Sequence, residues 1–121
     1  MSKNQTRIFV ADDVSDKGLQ PLRDAGFVVE KKTGLPGDAL RLALADCEGL
    51  LVRSETKVTA EVLDAARKLR VVGRAGVGVD NVDVPAATAR GIVVMNAPDG
   101  NTITTAEHTM ALLVAFARNV P

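Results

Sequence analysis

Two arginines follow directly on short apolar runs. Arg53 comes after Gly49-Leu50-Leu51-Val52, and Arg74 after Arg70-Val71-Val72-Gly73. A guanidinium at such a place can hold a carboxylate or phosphate through two parallel hydrogen bonds. Ser54 stands beside the first arginine with a hydroxyl to add. Behind the second runs Ala75-Gly76-Val77-Gly78-Val79-Asp80-Asn81. Glycines at 76 and 78 let the backbone turn and expose successive N–H groups, a concavity that suits an anion. Two readings of this loop stay open: an anion cradle, or a turn that needs glycine only to bend. A dinucleotide fingerprint, Gly-x-Gly-x-x-Gly, is not one of them. Asn81 stands where its third glycine belongs, and no acidic residue ends the next strand some 20 residues on.

Other chemistry is thin. Asp12-Asp13 follow the first apolar run, as the magnesium-binding acids of receiver domains do. The aspartate nucleophile of that chemistry is missing, because Arg53 occupies its place, and Asn96-Ala97-Pro98 stand where its lysine belongs. Asp12 and Asp13 are therefore expected to cap the first helix or stay in water. His108, the single histidine, has no carboxylate to orient it except Glu107, whose side chain points elsewhere on a helix, so it reads as a packing or surface residue. Cys47, the single cysteine, has no basic neighbour in sequence and reads as an inert thiol. One His and one Cys make no metal cluster.

These residues need a scaffold that brings them to one edge. Apolar runs at 7–11, 27–30, 49–52, 70–73 and 92–95 alternate with helical patterns at 15–25, 37–46, after Thr59, and at 84–90. Gly26 and Gly91 stop two of the helices, while Asp83 and Pro85 start one. Strands apolar throughout, not alternating, are those covered on both faces, as in parallel sheets. The expected fold is α/β: a doubly wound, five-stranded parallel sheet in flavodoxin-like order 2-1-3-4-5. Ligands of such sheets sit off the carboxyl ends of the strands. A last helix, capped by Asn101 or by a Thr104–Glu107 capping box, runs to about residue 118. Met110, Leu112, Leu113, Val114 and Phe116 make it apolar over much of its circumference, as in a helix that is buried or shared with another chain.

Composition excludes several classes. The 121 residues balance 15 Lys+Arg against 15 Asp+Glu, so no bulk field draws the chain to nucleic acid or an anionic membrane. Three Phe and no Trp or Tyr leave few stacking platforms for bases. The polar start lacks a signal peptide, and apolar runs of about eight residues fall short of the ~20 that span a bilayer. The expectation is a soluble, cytoplasmic protein.

Three blocks now acquire a common meaning. Val52-Arg53-Ser54-Glu55-Thr56-Lys57-Val58, the stretch from Val72-Gly73 through Val82-Asp83, and Gly91-Ile92-Val93-Val94-Met95-Asn96-Ala97-Pro98 together resemble the NAD-dependent D-2-hydroxyacid dehydrogenases, and among them the members that act on 3-phosphoglycerate. Asn101 and Thr105-Ala106-Glu107-His108 extend the likeness, which runs over residues 7–121. It implies a substrate-binding lobe at 1–98, then a hinge and the first helix of a nucleotide-binding lobe at 99–121. The catalytic residues and the main NAD site would lie outside this chain, which alone would be inactive. By the same resemblance, Arg53, Ser54 and Arg74 would grip an anionic substrate, 3-phosphoglycerate. The N–H groups of Val77 and Gly78 would take its carboxylate, with Gly76 making room and Asn101 near the reacting centre. Val77 and Thr105 would approach the NAD cofactor, although valine lacks the hydroxyl of the threonine found at that place in some relatives. The implied reaction is oxidation to 3-phosphohydroxypyruvate, the first step of L-serine biosynthesis, in a homo-oligomer joined through the 104–118 helix. Two alternatives stand beside it: a hydroxypyruvate or glyoxylate reductase of the same family, and a non-enzymatic flavodoxin-like binding module.

Overall fold

In the computed structural model, which describes residues 5–121, the five apolar runs form five strands. These are β1 Arg7–Val10, β2 Val28–Lys31, β3 Gly49–Val52, β4 Val71–Arg74 and β5 Val93–Met95. They pair in the order β2-β1-β3-β4-β5, every pair parallel. Between them lie α1 Asp16–Asp24, α2 Gly37–Leu44, α3 Ala60–Ala65 and α4 Val84–Ala89, with α5 Thr102–Ala117 last.

Local chemistry sets the helix ends. The side chains of Ser15, Thr59 and Asp83 accept the N–H groups of Gly18, Val62 and Ala86, satisfying donors that each first turn leaves free. Gly26 and Gly91 follow α1 and α4 with φ of 90° and 69°, a left-handed turn that glycine takes at no steric cost. The structure departs from expectation at Asp12. It caps nothing, since Ser15 does that, and it is the one buried charged or polar residue among those described, 1% exposed.

Side chains alternate across the sheet. Phe9, Ala11, Leu50, Val52 and Val72 face α2, α3 and α4, where Leu40, Leu44, Val62, Leu63 and Ala87 complete an apolar core. On the other face α1 packs beside β2 and buries Leu19. That face is only half covered. Ile8, Leu22, Phe27, Val71, Val93 and Met95 line an open groove of about 820 Å³. The expectation that apolar strands mean two covered faces therefore fails over β4 and β5, because α5 projects away from the sheet.

Helix α5 takes the first of its two expected starts. It begins at Thr102, with Asn101 as its N-cap but without a side-chain capping bond. Thr104 already lies inside the helix, so the Thr104–Glu107 box does not form. None of the sixteen residues of α5 is buried. Among the described residues, no helix is long and apolar enough to cross a membrane.

Candidate functional site

Because all five strands run the same way, their carboxyl ends meet at one edge, where β3 and β4 lie side by side with Val52 opposite Arg74. Arg53 and Ser54 leave β3 there, and the 75–81 loop leaves β4. The chain after β5 joins them, since the Ala97 N–H donates to the Gly76 carbonyl at 2.9 Å and Asn96 Nδ2 to the Val77 carbonyl at 2.8 Å. Together these segments enclose an open cleft of about 550 Å³, lined by Arg53, Ser54, Arg74, Gly76, Val77, Gly78 and Asn101 along with Ala75, Ala97 and Gly100. Thr105 is not in its lining; it lies one turn into α5, exposed.

The cleft offers donors and little else. The N–H groups of Val77 and Gly78 donate to no acceptor among the described residues. Arg53 spends Nη1 on the Asp13 carbonyl at 3.1 Å, which leaves its other donors free to turn to the cleft. The side chain of Arg74 is 12% exposed; its Nε donates to Asn81 Oδ1 at 3.2 Å, and its Nη2 lies 3.9 Å from Asp80 Oδ1. Neither Gly76 nor Gly78 takes a positive φ. Glycine is needed there for space: a Cβ on Gly76 would collide with the Arg74 guanidinium, and one on Gly78 would lie 2.9 Å from Asp80 Oδ1.

Two residues that sequence reasoning passed over hold the arginines in place. Asp12 Oδ2 accepts the N–H groups of Arg53 at 2.7 Å and Thr56 at 3.1 Å, and its Oδ1 accepts the Thr56 hydroxyl. Asn81 Nδ2 donates to the carbonyls of Arg53 and Thr56 at 2.6 and 2.7 Å. The only sequence signal for either was position: Asp12 lies two residues beyond β1, and Asn81 closes the loop that leaves β4.

The remaining candidates lie elsewhere. Asp13 is exposed and ion-paired with Lys31 at 2.8 Å; that bond, then the lysine's charge, holds its carboxyl below the usual range. His108 is exposed on α5. Cys47 is buried and gives its thiol proton to the Ala43 carbonyl at 3.3 Å; burial pushes the thiol's pKa up, as an inert cysteine requires.

Comparison with known proteins identifies the cleft's relatives. The profile described as "D-isomer specific 2-hydroxyacid dehydrogenase, catalytic domain" matches residues 8–118. The chain belongs to this family. A D-3-phosphoglycerate dehydrogenase of Archaeoglobus fulgidus is 51% identical over 115 residues, which is 95% of this chain and 22% of that protein. Among solved structures, the TT0316 protein from Thermus thermophilus superposes with a TM-score of 0.84 at 40% identity, over 95% of this chain and 38% of its own. The cofactor (NAD+)-bound 3-phosphoglycerate dehydrogenase of Entamoeba histolytica gives 0.78 at 27% identity, over 92% and 39%. The chain thus spans about a fifth of the length of the curated relatives it matches. The loop behind Arg74 does not fit a dinucleotide's pyrophosphate. The cleft's loop ends in Asn81, tied by three hydrogen bonds where a glycine would let a pyrophosphate approach, and the helix that follows, α4, has only six residues.

Proposed function

We propose that this chain is the substrate-binding lobe of an NAD-dependent D-3-phosphoglycerate dehydrogenase, which oxidises 3-phosphoglycerate to 3-phosphohydroxypyruvate as the first step of L-serine biosynthesis. Residues 1–98 form the lobe, and 99–121 the hinge and first helix of a nucleotide-binding lobe. One observation carries the reading: two guanidinium groups and two unspent N–H groups surround a single cleft. A substrate with a phosphate at one end and a carboxylate at the other uses both sets. Hydroxypyruvate or glyoxylate has one anionic group and would leave an arginine idle. The name carried by the 51% identical relative supports the choice.

In this reading the N–H groups of Val77 and Gly78 hold the carboxylate, Arg53 and Ser54 grip the substrate's anionic end, and Arg74 adds charge near the phosphate. Asn101 stands at the hinge beside the reacting carbon, and Val77 and Thr105 face the cofactor. The cleft's lining contains no histidine and no carboxylate to take a proton, so the lobe orients substrate and another part of the enzyme supplies the base. The lobe by itself is inactive. NAD supplies the hydride acceptor, and its main site lies outside these residues. The protein works in the cytoplasm as a homodimer joined through residues 104–118.

Titration of the isotope-labelled chain with 3-phosphoglycerate, D-glycerate and hydroxypyruvate tests the reading. The phosphorylated acid is expected to shift the Val77 and Gly78 amides and to bind about tenfold or more tighter than either unphosphorylated acid, the worth of one charge-assisted contact. Equal affinity for hydroxypyruvate would reassign the substrate. No response to any of the three would make this a binding module of another kind.

A further inference from the structure

The loop at 53–56 is pinned at four backbone atoms by two side chains from elsewhere in the chain. Its N–H groups at Arg53 and Thr56 go to Asp12, and its carbonyls at the same two residues go to Asn81. With both peptide groups of Arg53 fixed, the direction in which its side chain leaves the backbone is fixed too. Asn81 also accepts the Arg74 Nε–H, so a single amide ties the backbone of one arginine to the guanidinium of the other. We infer that Asp12 and Asn81 are positioning residues, which set the separation and aim of Arg53 and Arg74 for an anion with two charged ends. This inference rests on the proposed function for its ligand, and on geometry alone for the placement.

The residue types match the task. A carboxylate accepts only, and Asp12 meets three donors. A negative charge beside an anion site would repel the ligand, but the Asp12 oxygens are turned to backbone and hydroxyl donors and the residue is buried. Its charge is answered before the ligand arrives. Asn81 must give two hydrogen bonds and accept one, which the side-chain amide does and aspartate cannot. A loop staple of purely structural use would not need to engage Arg74, and a lone ligand for Arg74 would not need to engage the neighbouring loop. Fixing both in one network makes the site rigid before substrate binds, which lowers the entropy that binding must overcome.

The test uses three variants of the labelled chain, Asp12→Ala, Asp12→Asn and Asn81→Leu, with 3-phosphoglycerate as the probe. Asparagine at 12 keeps an oxygen for the two N–H donors and turns its NH₂ to the Thr56 hydroxyl, so it should bind within about threefold of wild type. Asp12→Ala and Asn81→Leu should each weaken binding about tenfold or more, while the Leu50 and Val72 amides keep their wild-type shifts. Folded Asp12→Ala and Asn81→Leu proteins that bind as wild type would overturn the inference, as would an Asp12→Asn protein as impaired as Asp12→Ala. Should Asp12→Ala fail to fold, Asn81→Leu decides, because it keeps the volume and adds no charge at the site. If wild type itself does not bind 3-phosphoglycerate, the proposed function falls, and placement is judged on hydrogen exchange. The Arg53 and Thr56 amides should then exchange about tenfold faster or more in the weakening variants, and unchanged exchange would overturn the inference.

Discussion

Arg74 lies folded across Gly76, its Nη1 filling the space that a side-chain methyl at 76 would need. The obstacle is the tip of a flexible side chain, not backbone, and Gly76 has no left-handed φ to defend. Alanine can therefore enter if the guanidinium leaves. Gly76→Ala is expected to keep its Tm within about 2 °C of wild type and to weaken 3-phosphoglycerate binding about tenfold as Arg74 is pushed aside. Calorimetric titration beside a thermal melt reads both, and an unchanged affinity would place Arg74 outside the site.

Arg53 spends one side-chain donor on the Asp13 carbonyl and keeps the others free. Arg53→Ala should weaken binding by roughly ten- to a hundredfold, since one charged partner of an anion is lost. Arg53→Lys keeps the charge without the flat fork and should fall between the two. The fold should persist in both variants, because the pinned groups of residue 53 are its backbone N–H and carbonyl. A binding constant unmoved by alanine would remove Arg53 from the substrate's path.

Burial raises the pKa of the Cys47 thiol above its ordinary 9.0, so the folded state favours the neutral form. The sign follows from linkage. This contribution to stability is whole below the ordinary thiol value, and it falls as pH climbs from there through the raised one, because the unfolded chain ionises first. Wild type should lose more of its urea midpoint between pH 8 and pH 10 than Cys47→Ala does. A thiol-labelling reagent at pH 8 should react slowly until urea opens the fold. Parallel midpoints in the two proteins would show that the thiol is solvated.

On α5, Met110, Leu112, Leu113, Val114 and Phe116 are between 57% and 85% exposed. Burying each is worth ~1.5–3 kcal/mol, so a second copy has much to gain by covering them. Sedimentation equilibrium at tens of micromolar should show a dimer, and Leu112→Glu with Phe116→Glu should return it to monomer. A monomeric wild type would refute the pairing.

Short-range signals made the scaffold readable. The run Gly49-Leu50-Leu51-Val52 forms β3 with the ends its sequence marks, and Asp83, Pro85 and Gly91 bound α4 as cap, first turn and terminator. Strand order follows from such local pieces, because consecutive parallel strands joined by helices have few ways to pack. Strand-end position likewise marks Arg53, Arg74 and the glycine loop as site candidates, since the carboxyl ends of parallel strands share one edge. What Asp12 does was not legible. Its partners lie 41 and 44 residues away, and an aspartate after a strand looks the same whether it caps the next helix or reaches across to another loop. Asn81 read as a failed glycine, and only the meeting of β3 with β4 shows it holding two backbone carbonyls and a guanidinium. The glycine at 76 was legible as a requirement but not in its cause, because a dihedral preference is local whereas the space taken by Arg74 is a fact of packing. So too with α5: its apolar residues are written in the chain, but whether they meet the sheet depends on where the helix points, and the tertiary structure points it away.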